Sequence, residues 1–264
     1  MAGPTTAQRG AGKQEGAPER PPRPGPEGRR ITRRRLLVLI AAAVLLLGSG
    51  AVWVLYGSSW LRVGQVRVTG VRVLTPAEVE RAAAVPMNAP LVSVDTGAIE
   101  KRLRQKLPRI DSVDVVRSWP HGIGLKVTER KPVLLVEKGA KFIEVDAEGV
   151  RFATVDKAPA GVPLLEVATG RSASLRRFGG GRLVREAVRV ARDLPGGVAE
   201  DTRVVRVASY DAISLELTGD RTVLWGSGEA GAAKARVLTA LMKAAPKAGH
   251  FDVSAPTAPA VSGS

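Results

Sequence analysis

Hydrophobic and polar positions divide the chain into four stretches of different period. Before residue 36 there is no apolar periodicity. From Leu36 to Gly57 the run LLVLIAAAVLLLGSGAVWVLYG is continuously apolar, and 26 uncharged residues separate Arg35 from Arg62. From Leu61 to about Arg130, short alternations flank two segments of helical spacing. From Lys131 onward alternation dominates, broken by turn residues.

A helix needs about 20 apolar residues to cross ~30 Å of hydrocarbon, and the 36–57 run meets that requirement. Six arginines lie in the 15 residues before Leu36 and three in the 15 after Gly57, so the N-terminus is expected to stay in the cytoplasm. Arg33, Arg34 and Arg35 then sit at the inner headgroups and Trp53, Tyr56 and Trp60 at the outer ones, where amphipathic rings favour the interface. These are three of ten aromatics in the chain. The competing reading is a cleaved signal peptide with Ser49-Gly50-Ala51 as the cleavage site. The long basic tail and the return of apolar residues at Val52-Trp53-Val54-Leu55 favour an uncleaved anchor. The expected topology is single-pass type II, with residues 1–35 a cytoplasmic arm of disordered composition and the bulk of the chain extracytoplasmic.

The first unit after the span begins with the alternation Val66-Arg67-Val68-Thr69, closed by Gly70. Thr75-Pro76-Ala77-Glu78 then has the form of a helix start, with Thr75 as N-cap, Pro76 in the first turn and Glu78 completing a capping box. Val79, Ala82 and Ala83 form its buried stripe, and Pro86 ends it. A second helix is predicted from Asp95 to about Leu107, with Ile99, Leu103 and Leu107 as its apolar face. Strands over Ile110–Trp119 and Ile123–Thr128 follow, joined by Pro120-His121-Gly122. Strand, helix, helix, strand, strand places two helices on one face of a small sheet.

The second unit reads as strands at 133–136, 142–145, 164–167, 204–207, 213–217, 222–225 and 250–254, with helices at about 182–194 and 230–244. The domain boundaries expected are 1–35, 36–57, 61–130 and 131–261, with 262–264 as the end. The fold class is α+β: one N-terminal transmembrane helix, a β-α-α-β-β module, and a mostly antiparallel β domain with two helices.

Composition narrows the chemistry. The net charge of +15 is concentrated at the N-terminus, where residues 1–35 carry +6. That segment has no aromatic platform for single-stranded nucleic acid, so no nucleic acid is expected and anionic lipid is the better partner. The chain has no cysteine, which removes disulfides, thiolate metal sites and a Cys nucleophile. His121 and His250 stand apart from other ligating residues, and Asp111 and Asp114 fit an exposed sheet edge better than a proton-sharing pair. Gly179-Gly180-Gly181 lacks the Lys-Ser/Thr of a phosphate loop. Gly226-Ser227-Gly228-Glu229-Ala230-Gly231 is a complete G-x-G-x-x-G after a strand, with Asp252 about twenty residues on, as in a dinucleotide site. Only 12 residues follow Asp252, the strands upstream read as hairpins, and the segment is expected outside the cytoplasm. These features favour a glycine-rich strand-to-helix connection. The expectation is no enzyme, no cofactor, no metal and no small-molecule substrate. A membrane-anchored enzyme or nucleotide binder using Gly226–Gly231 is the alternative. An exporter component would need repeated modules or a barrel, and the sequence shows neither.

The order of elements in 61–130 resembles the POTRA module. Placed directly after a single anchor, it is similar to the FtsQ/DivIB family of bacterial division proteins. Val66-Arg67-Val68-Thr69-Gly70 and Val127-Thr128-Glu129-Arg130-Lys131-Pro132-Val133 carry the likeness in the first unit. In the second it rests on Val145-Asp146-Ala147-Glu148-Gly149-Val150-Arg151-Phe152 and Phe251-Asp252-Val253-Ser254-Ala255-Pro256. The resemblance implies a scaffold at the division septum that binds two small single-span proteins of the FtsB (DivIC) and FtsL types. Addition of a partner strand to a late edge strand is the expected means, placing Phe251, Asp252, Val253 and Ser254 at or beside the contact.

Overall fold

The computed structural model describes residues 33–167 and 180–263. The predicted disordered arm, up to residue 32, and Gly179 of the glycine triplet lie outside the described residues. The chain divides into two compact units, Met1–Val52 and Trp53–Ser264.

Helix α1, Arg33–Gly57, has 25 residues and none of them buried, giving a length of roughly 37 Å. It is long and apolar enough to cross a membrane. Arg33, Arg34 and Arg35 form its first turn. Trp53, Tyr56 and Trp60 are all exposed.

In the second unit, β1 (Gln65–Thr69), α2 (Pro76–Ala83), α3 (Thr96–Lys106), β2 (Ile110–Ser118) and β3 (Gly122–Glu129) follow the predicted order. The capping box forms as read: Glu78 N–H donates to Thr75 Oγ1 at 3.3 Å and Thr75 N–H to Glu78 Oε2 at 2.8 Å. Asp95 caps α3 through Ala98 N–H at 3.0 Å. The three strands are ordered β1-β3-β2, with β1 parallel and β2 antiparallel to β3. Val79, Ala83, Ile99 and Leu103 of the helices pack with Val113, Val115, Ile123 and Leu125 of the sheet in one core. Asp111 and Asp114 lie exposed on β2, an edge strand.

The remaining strands are β4 (Leu134–Lys138), β5 (Lys141–Val145), β6 (Arg151–Val155), β7 (Leu164–Val167), β8 (Thr202–Ser209), β9 (Ala212–Leu217), β10 (Thr222–Gly226), β11 (His250–Asp252) and β12 (Ala260–Ser262). They form one sheet ordered β12-β11-β10-β9-β8-β7-β4-β5-β6. Five of its eight pairings are antiparallel; β4/β7, β7/β8 and β10/β11 are parallel. Helices α4 (Gly180–Asp193), α5 (Gly196–Asp201) and α6 (Gly231–Ala244) accompany it. Leu183, Ala187 and Val190 of α4 pack with Val205, Ile213, Leu215, Trp225 and Phe251 of the sheet. On the outward side Arg206 bridges Glu166 at 2.9 Å and Glu216 at 2.7 Å across three strands. Three elements differ from the sequence reading. β6 and β12 are additional strands, and α5 is an additional short helix: α4 stops at Asp193, before Pro195-Gly196-Gly197 as read, and Pro195 then serves as the N-cap of α5.

A joint of buried charges ties the first sheet to the second. Arg109 Nη2 lies 2.5 Å from Glu144 Oε2, with both side chains largely buried, and its guanidinium stacks 5.3 Å above the Phe152 ring. Arg130 contacts the buried Asp146 and reaches Asp111 at 3.3 Å. Asp146 also accepts from Glu148 and Val150 N–H at 3.0 and 2.7 Å, which closes the turn to Gly149. Beside this pair, Glu129 accepts from the N–H groups of Arg72, Val73 and Leu74 at 2.9 to 3.1 Å. Gly70, at φ +86°, lies so close to Val127 that a Cβ would collide with its carbonyl oxygen.

Burial pushes the Glu129 carboxyl up. The three backbone donors, with the Arg109 charge, outweigh that and hold it below its ordinary 4.5. A depressed carboxylate contributes stability that is complete above the unfolded-state value and lost as pH falls through the folded one. Glu129→Gln is therefore expected to flatten the acid limb of a melting temperature–pH profile, with its effect at neutral pH fading toward zero below about pH 4. Glu144→Ala strands Arg109 without its partner and should cost about 3–5 kcal/mol in urea unfolding. A loss under 1 kcal/mol would show the joint to be peripheral.

Candidate partner-binding edge

Two features compete to be the functional site: the glycine-rich loop and the end of the large sheet. The loop has the placement its sequence predicts, joining β10 to α6, and β10-α6-β11 is a right-spaced strand-helix-strand unit with β10 parallel to β11. Upstream of the loop, the expectation of hairpins is corrected at β4/β7 and β7/β8, which pair in parallel. The space over the loop is nonetheless occupied. Asp193 of α4 lies where a Cβ of Gly231 would be, and Glu186 lies against Gly228 in the same way. Glu186 is 6% exposed and its Oε2 is 3.5 Å from Arg189 Nη1. Lys234, 2% exposed, donates from Nζ to the Ser227 carbonyl at 2.8 Å. Burial lowers its affinity for the proton, partly countered by Glu229. An anion at the N-terminus of α6 would meet two carboxylates of the protein itself. Glycine is needed at 231 because the Asp193 side chain of α4 packs there, down to its Cβ, and at 228 a Cβ would meet the carboxylate tip of Glu186 rather than leave room for a pyrophosphate.

Asp252 is likewise engaged locally. Its Oδ1 accepts from Ser254 N–H at 2.9 Å and from Ser254 Oγ at 2.7 Å. The Ser254 hydroxyl is the first reason its carboxyl is held below the usual range. His250 Nδ1 lies 2.8 Å from Thr222 Oγ1. Among the described residues no three His, Cys, Asp or Glu side chains gather in a metal-binding cluster.

The four residues expected at a free edge occupy a different place. Phe251 and Asp252 belong to β11, which has β10 on one side and β12 on the other. Phe251 is 1% exposed and Val253 is fully buried. Val253 and Ser254 lie beyond the strand, and Val253 N–H donates to the Leu224 carbonyl at 2.9 Å. The edge assignment is therefore corrected: β12 holds the outer position, and 250–254 is the platform on which it lies. The sequence signal for β12 is weak, because Ala-Pro-Ala-Val-Ser-Gly has neither length nor alternation.

At this edge Ala260, Val261 and Ser262 are all exposed. Gly249 N–H donates to the Gly263 carbonyl at 3.0 Å, and the register runs His250↔Ser262, Phe251↔Val261, Asp252↔Ala260. Hydrogen-bonded pairs alternate in an antiparallel ladder. Thr222 N–H donates to the Gly249 carbonyl and Val253 N–H to the Leu224 carbonyl, so Phe251 turns its backbone groups toward β10 and His250 and Asp252 turn theirs toward β12. Ala260 and Ser262, opposite Asp252 and His250, therefore face β11, while Val261 turns its N–H and C=O outward. β12 carries no charge, whereas the opposite edge strand β6 begins at Arg151 and runs into Asp156-Lys157. Charged residues discourage strand pairing, and β12 has none of that protection. A shallow cleft lined by Ala245, Lys247, Ala248, Val261 and Ser262 adjoins it.

Residues 61–130 match the POTRA domain family of FtsQ type. Over its whole length the chain is 64% identical to cell division protein FtsQ of Streptomyces venezuelae, covering 99% of that protein. It is 65% identical, over all of both chains, to cell division protein FtsQ of Streptomyces coelicolor. FtsQ of Streptomyces griseus is 80% identical over 79% of this chain and 100% of its own. The extracytoplasmic domain of DivIB from Geobacillus stearothermophilus shows a slight structural likeness, with 17% identity, a TM-score of 0.33, and coverage of 44% of this chain and 94% of that one.

The packing explanation of the glycines has a direct test. Gly231→Ala should lower the melting temperature, and Asp193→Gly in the same chain should recover most of the loss. Independent, additive effects of the two changes would show that the close approach is not what the glycine serves.

Proposed function

Because this chain belongs to the FtsQ family of cell division proteins, we propose that it is a non-enzymatic bitopic scaffold of the division septum whose exposed β12 edge captures a partner strand. The exposed, uncharged edge with the outward-facing backbone groups of Val261 carries this reading. A partner segment of the FtsB (DivIC) or FtsL type adds to the sheet there. Main-chain hydrogen bonds supply affinity, and side chains in the adjoining cleft supply specificity. Phe251, Asp252, Val253 and Ser254 support the contact from beneath rather than making it.

In this reading α1 spans the bilayer. Arg33, Arg34 and Arg35 face the cytoplasmic headgroups, Trp53, Tyr56 and Trp60 the outer ones, and the folded unit lies outside. Residues 61–130 act as a module between the anchor and the partner-binding domain of 131–261. The filled space over Gly226–Gly231 argues against the nucleotide-binding alternative, which a flat nucleotide titration of the full chain would dispose of.

Replacing Val253 by Pro would remove the bond to Leu224 and damage the sheet itself, so it tests little. Val261→Pro removes an outward N–H instead. It should abolish partner capture in living-cell crosslinking from positions 258–263 while the melting temperature changes by no more than a few degrees. Unchanged capture would refute the β12 contact. Protease added to intact spheroplasts should shave the folded unit away, and full protection would refute the topology.

A further inference from the structure

The end of the three-stranded module where the chain enters has a composition that the partner-binding reading does not use. β1 begins there at Gln65, β3 at Gly122, and β2 ends there at Ser118. Two loops are tied to Arg62–Gln65. Gly64 and Gln65 donate to the His121 carbonyl at 2.8 and 3.3 Å, which holds the Trp119-Pro120-His121 turn. Val63 donates to the Ala89 carbonyl and accepts from Asn88 N–H, both at 2.9 Å, and Arg62 Nη1 donates to the Asn88 carbonyl at 2.9 Å, which holds the loop after α2. Each tied loop presents one large apolar side chain to solvent: Trp119, 53% exposed, and Met87, 51% exposed. Trp60, 70% exposed, precedes the tether. Outside α1, the large hydrophobics exposed among the described residues are Trp60, Val73, Met87, Trp119, Val150 and Val261. Three of these six therefore lie at one end of the module or directly before it.

We infer that this end of the module, through Trp119 and Met87 together with Trp60, rests in the headgroup layer of the outer leaflet. The inference relies on α1 spanning the membrane. If it does, Gly57 lies at the outer boundary and only seven residues lead from it to Gly64, so the tied loops cannot be farther than roughly 25 Å from the lipid boundary. An exposed tryptophan has an apolar body and a single N–H donor, the combination that favours the interface over both water and hydrocarbon. Arg62, beside Asn88, adds a cation at the same level. Lipid is the occupant because the tether brings it within reach at all times and because the surface continues the aromatic series Trp53, Tyr56, Trp60 along the chain. The contact would hold the module at a fixed tilt to the bilayer, rather than on a free leash, and so limit the directions in which the β12 edge is offered.

The chain has no cysteine, so Met87→Cys, Trp119→Cys and Val150→Cys each create a unique thiol at an exposed position. Each full chain is labelled with an environment-sensitive fluorophore and reconstituted in phosphatidylcholine–phosphatidylglycerol vesicles. Quenching by headgroup-level nitroxide lipid should be several-fold stronger at 87 and 119 than at 150, and quenching by aqueous iodide should show the reverse order. Equal quenching at the three sites in protein that floats with the vesicles overturns this inference alone, and leaves the surface to water or to a protein partner. Protein that fails to float overturns the anchor, and this inference with it.

Discussion

Two hydrophobic cores in this molecule are held together by two largely buried arginines. Arg109 and Arg130 leave water to reach Glu144 and Asp146. Desolvation of such pairs is costly, and only close geometry with additional hydrogen bonds offsets it. Both requirements are met: Asp146 has its turn amides, and Arg109 has the Phe152 ring. Replacing the charges by apolar residues could yield a comparable free energy. What the charges add is register, because an unpaired buried ion penalises any other alignment of the two sheets.

The joint also explains which residues make the sequence recognisable. Gly70 closes the first strand against Val127, Glu129 gathers the amides of the next loop, Arg130 reaches Asp146, and Gly149 completes the turn that positions it. Three of the sequence pieces that resemble the FtsQ/DivIB family therefore meet at one place. They are structural residues, fixing the joint between the two sheets.

Much of the first module was legible because its signals are local. Thr75, Pro76 and Glu78 specify a helix start whatever lies around them, and the stripe Val79, Ala82, Ala83 specifies its buried side. The second unit was less so. β6 follows a turn that was recognised, but Arg151-Phe152-Ala153-Thr154-Val155 has one buried residue and gains its order from β5. α5 begins at Gly-Gly, where propensity argues against a helix and the packing of Val198 overrides it. β12 has no periodic signal at all, since pairing with β11 alone defines it. Missing it moved the predicted edge one strand inward. The glycine motif shows the converse error that sequence invites: G-x-G-x-x-G reports that something approaches the backbone closely, and here it is α4 of the same chain.

The parallel pairing of β1 with β3 has a mechanical consequence. The polypeptide enters β1 at Gln65 and leaves β3 at Glu129, at opposite ends of neighbouring strands held in the register Gln65↔Gly122 to Thr69↔Lys126. Tension between anchor and β domain would pull these strands past one another lengthwise. Every rung of the ladder would then be loaded together instead of being peeled off one by one, so the module is built to transmit a sustained pull without opening.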